Sequence, residues 1–176
     1  MQAHASAIDP GELRRAFGSF VTGVTIVTAL DAGGRPVGLT ANSFASVSLE
    51  PPLVLWSQSL TAPSHPVFRG AERFAINILA DDQAGLSDRF ARGGTDKFSG
   101  VTVREGLGGV PLIDGAAALL ECIRVATYPG GDHAIFLGRV ERFERHGRAP
   151  LVFAAGAYHA IGAPGAARSP ALHPVS

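Results

Sequence analysis

Short β-branched, apolar runs separated by turn residues recur along the chain, and amphipathic helical spacing appears in only two places. "TGVTIVTAL" (22–30) reads as a strand, "DAGGRP" (31–36) as a hairpin loop, and "VGLTANSFASVS" (37–48) as one returning strand that Pro51 and Pro52 end or bend. "LVLWSQ" (53–58) and "RFAINIL" (73–79) predict two more strands, with the turn-rich "SLTAPSHP" between them. "AAALLECIRVATY" and "HAIFLGRVERFER" flank "PGGD", a Gly-rich connection suited to closing a hairpin, and "PLVFAAGAYHAI" (150–161) predicts a last strand. The helical pieces are "GELRRAFGSF", with Asp9 as cap and Pro10 in the first turn, and "DDQAGLSDRFAR" (81–92), capped by Asp81 or Asp82 and stopped by Gly93 and Gly94.

Strands joined by short loops, several apolar on both faces, predict a mainly β, antiparallel closed barrel whose outside is covered by helices or by a partner subunit. At 176 residues and 46% hydrophobic content the chain fits one domain, expected over 1–162, with a disordered tail at 163–176. Fifteen basic and fifteen acidic residues leave no net charge and no charged run, which argues against nucleic acid or an anionic membrane as partner. One cysteine, Cys122, removes disulfide frameworks and thiolate metal clusters and marks a buried core residue. With no signal peptide and no apolar run near the roughly 20 residues of a membrane span, a cytoplasmic location is expected.

The sequence holds no Walker loop, HExxH, GxSxG or helix-opening GxGxxG, so those chemistries lack support. Three polar clusters remain. In "GLTANSFASVSLEPP" (38–52), Thr40, Asn42, Ser43, Ser46 and Ser48 either wet one face of an edge strand or line a site for an uncharged ligand. Asn42 mid-strand and the irregular hydroxyl spacing suggest a local bulge whose backbone faces something. Ser57, Ser59, Thr61 and Ser64 offer neutral donors to a phosphate, with charge from Lys97 and from Arg89 or Arg92, or else those cations are a helix's solvated last turn. Gly130, Gly131 and Asp132 deliver His133 to the mouth of a strand pair, where ligands bind barrels, although a lone histidine is more often structural.

The order and spacing of "G-x-T-x-x-S-F-x-S-x-S-x-x-P-P", "SQSLTAPS", "FAINIL", "DDQAGLSDRFARGGTDKFSGV" and "G-D-H-x-I-x-x-G-x-V" resemble the flavin reductase-like family, the reductase components of two-component flavin-dependent monooxygenases, from about residue 13 to residue 161. The resemblance implies an FMN-binding split β-barrel, usually homodimeric, that uses NADH or NADPH to reduce FMN or FAD by hydride transfer to flavin N5 and releases the reduced flavin to an oxygenase. It implies that Thr40, Ala41, Asn42 and Ser43 contact the isoalloxazine ring with Ser46 beside it. Ser57 and Ser59, with Gln58 in the same cofactor-binding set and Lys97, hold the phosphate end, and Phe90 and Phe98 border the pocket. His133, with Asp132, lies at the nicotinamide, and no metal is implied. A flat neutral ring edged with carbonyls and nitrogens calls for N–H groups and hydroxyls, which suits the 38–52 segment.

The nearly all-apolar "FAAGAY" departs from the family pattern and leaves Tyr158 outside the implied site, and Trp56 reads as core. Two other readings share the barrel: a protein that stores FMN without NAD(P)H turnover, and an oxidoreductase using pyridoxamine phosphate or a deazaflavin.

Overall fold

Asp9 and Pro10 start the first helix as expected. In the computed structural model, which describes residues 8–94 and 96–162, helix α1 spans Pro10–Gly18, and the Asp9 carboxylate accepts a 2.7 Å bond from the Glu12 N–H. That bond satisfies one of the N–H groups a helix start leaves open. The expected tail at 163–176 lies outside the described residues.

Among the described residues twelve strands follow: β1 Thr22–Gly23, β2 Thr25–Leu30, β3 Pro36–Ala41, β4 Ala45–Leu49, β5 Pro52–Ser59, β6 Arg73–Ile78, β7 Val103–Glu105, β8 Pro111–Ile113, β9 Ala118–Gly130, β10 His133–Arg145, β11 Val152–Ala154 and β12 Ala157–His159. Helix α2 (His65–Gly70) follows β5, and α3 (Ala84–Ala91) follows β6. Seven strands form one antiparallel sheet in the order β3-β2-β6-β9-β10-β5-β4.

The two edge strands of that sheet are neighbours in the chain, and this dictates its shape. Ala41 ends β3 and Ala45 begins β4, four residues apart, a reach of at most about 14 Å. Seven flat strands would put the edges about 29 Å apart, at roughly 4.8 Å per step. The sheet therefore rolls, bringing its edges together without hydrogen-bonding β3 to β4.

Here the structure corrects the reading of 37–48 as one strand: it breaks at Asn42–Phe44. The Ser43 hydroxyl holds the break, donating to the Ser57 carbonyl at 2.9 Å and accepting from the Ser57 N–H at 3.0 Å. One side chain thus takes the place of a strand partner at the corner.

Two further expectations change. "PLVFAAGAYHAI" is a hairpin, β11 and β12, turned at Ala155 (φ 48°) and Gly156 (φ 81°), a pair of positive φ values that suits a tight two-residue turn. The 81–92 segment is capped by neither aspartate: a single 3₁₀ turn at Asp81–Gln83 precedes α3, and the Gln83 side chain accepts from the Ala80 N–H at 3.0 Å. Helix α3 also ends at Ala91, before the glycines. The β9–β10 hairpin is as expected, with Gly131 at φ 71° in its turn.

The core inside the roll centres on Trp56, stacked on Phe136 (4.6 Å, 15°) and edge-on to Phe68 of α2 and Phe74 of β6. Strand β5 alternates, sending Val54, Trp56 and Gln58 inward. Cys122 joins this core, and burial, with Glu121 and Glu141 nearby, pushes its thiol up to about 12. Since the thiolate is the reactive form, Cys122 should resist an aromatic disulfide reagent at pH 8 in the native protein and titrate as one equivalent in denaturant. Rapid native labelling would contradict this packing.

Candidate functional site

The site grows from a missing side chain. Gly38, buried in β3, lets the Phe90 ring of α3 lie on the strand backbone: a Cβ there would fall 2.7 Å from Phe90 Cε1 and 3.2 Å from Phe98 Cζ. Phe90 is fully buried and meets Phe98 edge-on at 4.9 Å and 89°. Lys97 Nζ donates to the Phe90 carbonyl at 2.9 Å and to the Gly38 carbonyl at 3.4 Å, so the amine is tied to both elements. Burial lowers the Lys97 pKa.

A cleft of about 460 Å³ opens over this wall. Its floor runs along β3 from Pro36 to Thr40, one side is Phe90–Gly94 with Lys97 and Phe98, and the other is Ala62–Ser64. Three cations face it, Arg35, Arg92 and Lys97, with one carboxylate, Asp31. Asp31 is already paired to Arg35 at 2.8 Å, and the Arg35 N–H and guanidinium hold its carboxyl below the usual range.

Thr40 donates its hydroxyl to the Ser87 carbonyl at 2.6 Å, and the Ala41 carbonyl accepts from Thr25 Oγ1 at 2.7 Å. Asn42 and Ser46 are exposed, and Ser43 is engaged with Ser57 as described. The β5–β10 register sets His133 opposite Ser59 and Ile135 opposite Ser57, so the serine segment and the "GDH" turn are neighbours. His133 Nδ1 lies 2.7 Å from Asp132 Oδ1, and this bond to His133 lowers the Asp132 pKa. Ser59 shares a 2.9 Å bond with Thr61.

The residues implied by the resemblance thus fall in two groups. Thr40, Phe90, Lys97 and Phe98 line the cleft. Ser57, Ser59, Asp132 and His133 share the end of the β5–β10 pair, and Ser43 bonds across to Ser57. Gln58 stands apart: it is 2% exposed, points into the core, and reaches Ser64 and His65 rather than open space. Arg89 donates to the Ser99 carbonyl at 2.7 Å, in keeping with a structural role at the end of α3. Tyr158 clamps α3 from outside the cleft, its hydroxyl donating to Ser87 Oγ at 2.8 Å and lying 2.9 Å from Asp88 Oδ1. Burial raises the Tyr158 pKa. Trp56 is fully buried core.

Gly38 and Arg35 escaped the sequence reading. A glycine inside a β-rich stretch is the available signal for close approach at Gly38, but it does not say what approaches. Arg35 looked like part of a hairpin loop.

The donor set fits a flavin nucleotide. The Thr40 and Ser64 hydroxyls and the β3 backbone offer the neutral hydrogen-bonding groups an isoalloxazine edge calls for, and Lys97 and Arg92, with Arg35 paired to Asp31, offer charge for a phosphate.

The flavin reductase like domain matches residues 17–162, and the chain belongs to that family. It is 48% identical to the FMN reductase (NADH) SmoA of Agrobacterium fabrum, the match covering 82% of each chain. It is also 48% identical to the reductase component of the flavin-dependent trigonelline monooxygenase of Acinetobacter baylyi, over 84% of this chain and 47% of that one. The chain spans about half the length of some of the curated relatives it matches. In structure it is similar to the Streptomyces globisporus C-1027 NADH:FAD oxidoreductase SgcE6, solved in complex with NAD and FAD fragments, with a TM-score of 0.83 and 41% identity over 90% of this chain and 98% of that one.

Proposed function

We propose that this protein is an NAD(P)H:flavin oxidoreductase that reduces FMN or FAD and releases the reduced flavin to a separate flavin-dependent monooxygenase. The observation that carries the reading is the cleft on Gly38, where a hydroxyl-bearing strand end meets Lys97, Arg35 and Arg92. The relatives, named for NADH, FMN, FAD and monooxygenase reductase components, support the same assignment. We read the rolled sheet, open between β3 and β4, as a split barrel. No described helix is long and apolar enough to cross a membrane, and we take the protein to work in the cytoplasm.

Hydride passes between the nicotinamide and flavin rings when both are bound, chemistry that belongs to the two cosubstrates. The chain's part is placement. Thr40, Ala41, Asn42 and Ser43, with Ser46 beside them, edge the ring, while Lys97 with Ser57 and Ser59 neutralises and binds the phosphate end. Asp132 fixes His133 with the Nδ1 proton directed to its carboxylate, which leaves Nε2 to accept from an amide N–H of the nicotinamide. His133→Ala should therefore raise the KM for NAD(P)H about tenfold, the worth of one well-placed hydrogen bond, and leave flavin affinity nearly unchanged. An equal loss of flavin binding would move His133 to the flavin.

The apolar side chains exposed on edge strand β4, with Leu49 at 93% and Val47 at 47%, support a homodimer that covers them. Light scattering at micromolar concentration should give twice the chain mass, and a monomer would remove this part of the reading. The activity itself is tested by NADH and NADPH consumption in air, each crossed with FMN, FAD and riboflavin. Flavin-dependent oxidation establishes the reductase and names both cosubstrates. Absence of turnover with every pair would favour a flavin-storing protein or one that takes a deazaflavin or pyridoxamine phosphate.

A further inference from the structure

Helix α3 is eight residues long and its end forms one side of the cleft, so whatever holds it in place bears on the site. On its inner side Thr40 of β3 donates to the Ser87 carbonyl at 2.6 Å, and one turn on, Phe90 lies on Gly38 and gives its carbonyl to Lys97. On its outer side stands the β11–β12 hairpin. The Tyr158 hydroxyl of that hairpin lies 2.8 Å from Ser87 Oγ and 2.9 Å from Asp88 Oδ1, two consecutive residues of α3. Ser87 has no exposed surface, so its hydroxyl cannot turn to water in place of the phenol. The hairpin register sets Tyr158 opposite Phe153, with 5.6 Å between ring centroids, and both rings pack against the apolar cluster that holds Phe90. Ser87 is therefore gripped from two sides: its carbonyl by the floor of the cleft, its hydroxyl by a residue that does not line the cleft.

We propose that Tyr158 is a positioning residue for flavin binding: from behind the cleft wall its hydroxyl fixes α3 on β3, and so sets Thr40, Phe90 and Lys97 for the cofactor. This rests on the flavin reductase reading and gives a role to a tyrosine outside the cofactor contacts. A short helix draws its stability from tertiary contacts, and apolar packing alone is non-directional, so it leaves the helix free to slide or turn by a fraction of a residue. Hydrogen bonds at Ser87 supply the missing direction. Without the phenol oxygen, the buried Ser87 hydroxyl turns back to a helix carbonyl one turn earlier, a bond that bends helices. The Phe90 ring and the carbonyl that holds Lys97 lie just beyond that bend.

The test is turnover and flavin affinity of the full chain, with FMN or FAD, whichever turns over faster, for the wild type, Tyr158→Phe, Ser87→Ala and the double variant. Tyr158→Phe should raise the flavin KM, and the Kd from fluorescence quenching, about fivefold, the worth of one hydrogen bond. It should leave kcat at saturating flavin and the KM for the nicotinamide within about twofold. Ser87→Ala should do the same, and the double variant should be no worse than either single one, since both changes cut the same bond. A merely structural role gives a different pattern: fewer folded molecules lower kcat and leave KM and Kd unchanged. That pattern, additive losses in the double variant, or an equal rise in the KM for the nicotinamide would each overturn the positioning role. If Tyr158→Phe fails to fold, Ser87→Ala decides alone by the same split between KM and kcat. A wild type that neither binds nor reduces flavin would overturn the reductase reading itself and this inference with it, a result separable from the variant effects.

Discussion

Gly38→Val should close the cleft over β3 and lower the melting temperature by roughly 5 to 10 °C. A side chain at Gly38 would meet Phe90 Cε1 at 2.7 Å and Cδ1 at 2.9 Å, within a pair of rings where Phe90 has no exposed surface into which to retreat. Overpacking of this kind costs about 1–3 kcal/mol, and each kcal/mol moves the midpoint of a chain this size by about 2–4 °C. The functional loss should be larger than the thermal one. Displacing Phe90 moves the carbonyl that holds Lys97 Nζ and shifts the wall that Phe98 completes, so flavin titration should show no saturable binding. A variant that melts within about 1 °C of the wild type and binds flavin normally would show that Phe90 does not pack on β3 as described.

Asn77→Leu should cost about 3–5 kcal/mol, read as a lower urea midpoint with an unchanged slope. Asn77 is fully buried in β6 and makes three bonds: it donates to the Ile26 carbonyl at 2.8 Å and to Thr28 Oγ1 at 3.2 Å, and it accepts from the Ile113 N–H at 2.7 Å. Thr28 in turn donates to the Pro111 carbonyl at 2.6 Å. These side chains tie β8 to the rolled sheet. Leucine would leave the Ile113 N–H and the second lone pair of the Ile26 carbonyl buried without partners, at about 1–3 kcal/mol each. A loss below about 1 kcal/mol would mean that other groups or water take over those bonds.

Asn77 shows where the sequence stops being legible. "RFAINIL" reads correctly as a strand because its neighbours are β-branched and apolar, but nothing local says that the asparagine faces inward, since its partners lie 36 and 51 residues away. The break at Asn42–Phe44 was hidden for the same reason: the Ser43 hydroxyl replaces a strand partner only because Ser57 is brought beside it by the roll. Ala155 hides the β11–β12 turn, because a non-glycine residue at positive φ leaves no turn signal in composition. By contrast, the Asp9 cap and the Gly131 hairpin are local chemistry and were readable. In the site, Lys97, Phe90 and Phe98 came from motif order, and the structure adds that they share one wall with Gly38. Gln58 was grouped with the serines beside it, and strand alternation turns it to the opposite face.

The central claim, catalytic reduction of a flavin that leaves the protein, is tested most directly without oxygen. A small amount of protein is mixed anaerobically with NADH or NADPH and a large excess of FMN or FAD, and the flavin absorbance near 450 nm is followed. The account predicts bleaching of many equivalents of flavin per chain, at a rate proportional to protein. Bleaching that stops at one equivalent, or none with either donor, would contradict it and leave a protein that holds flavin without delivering it.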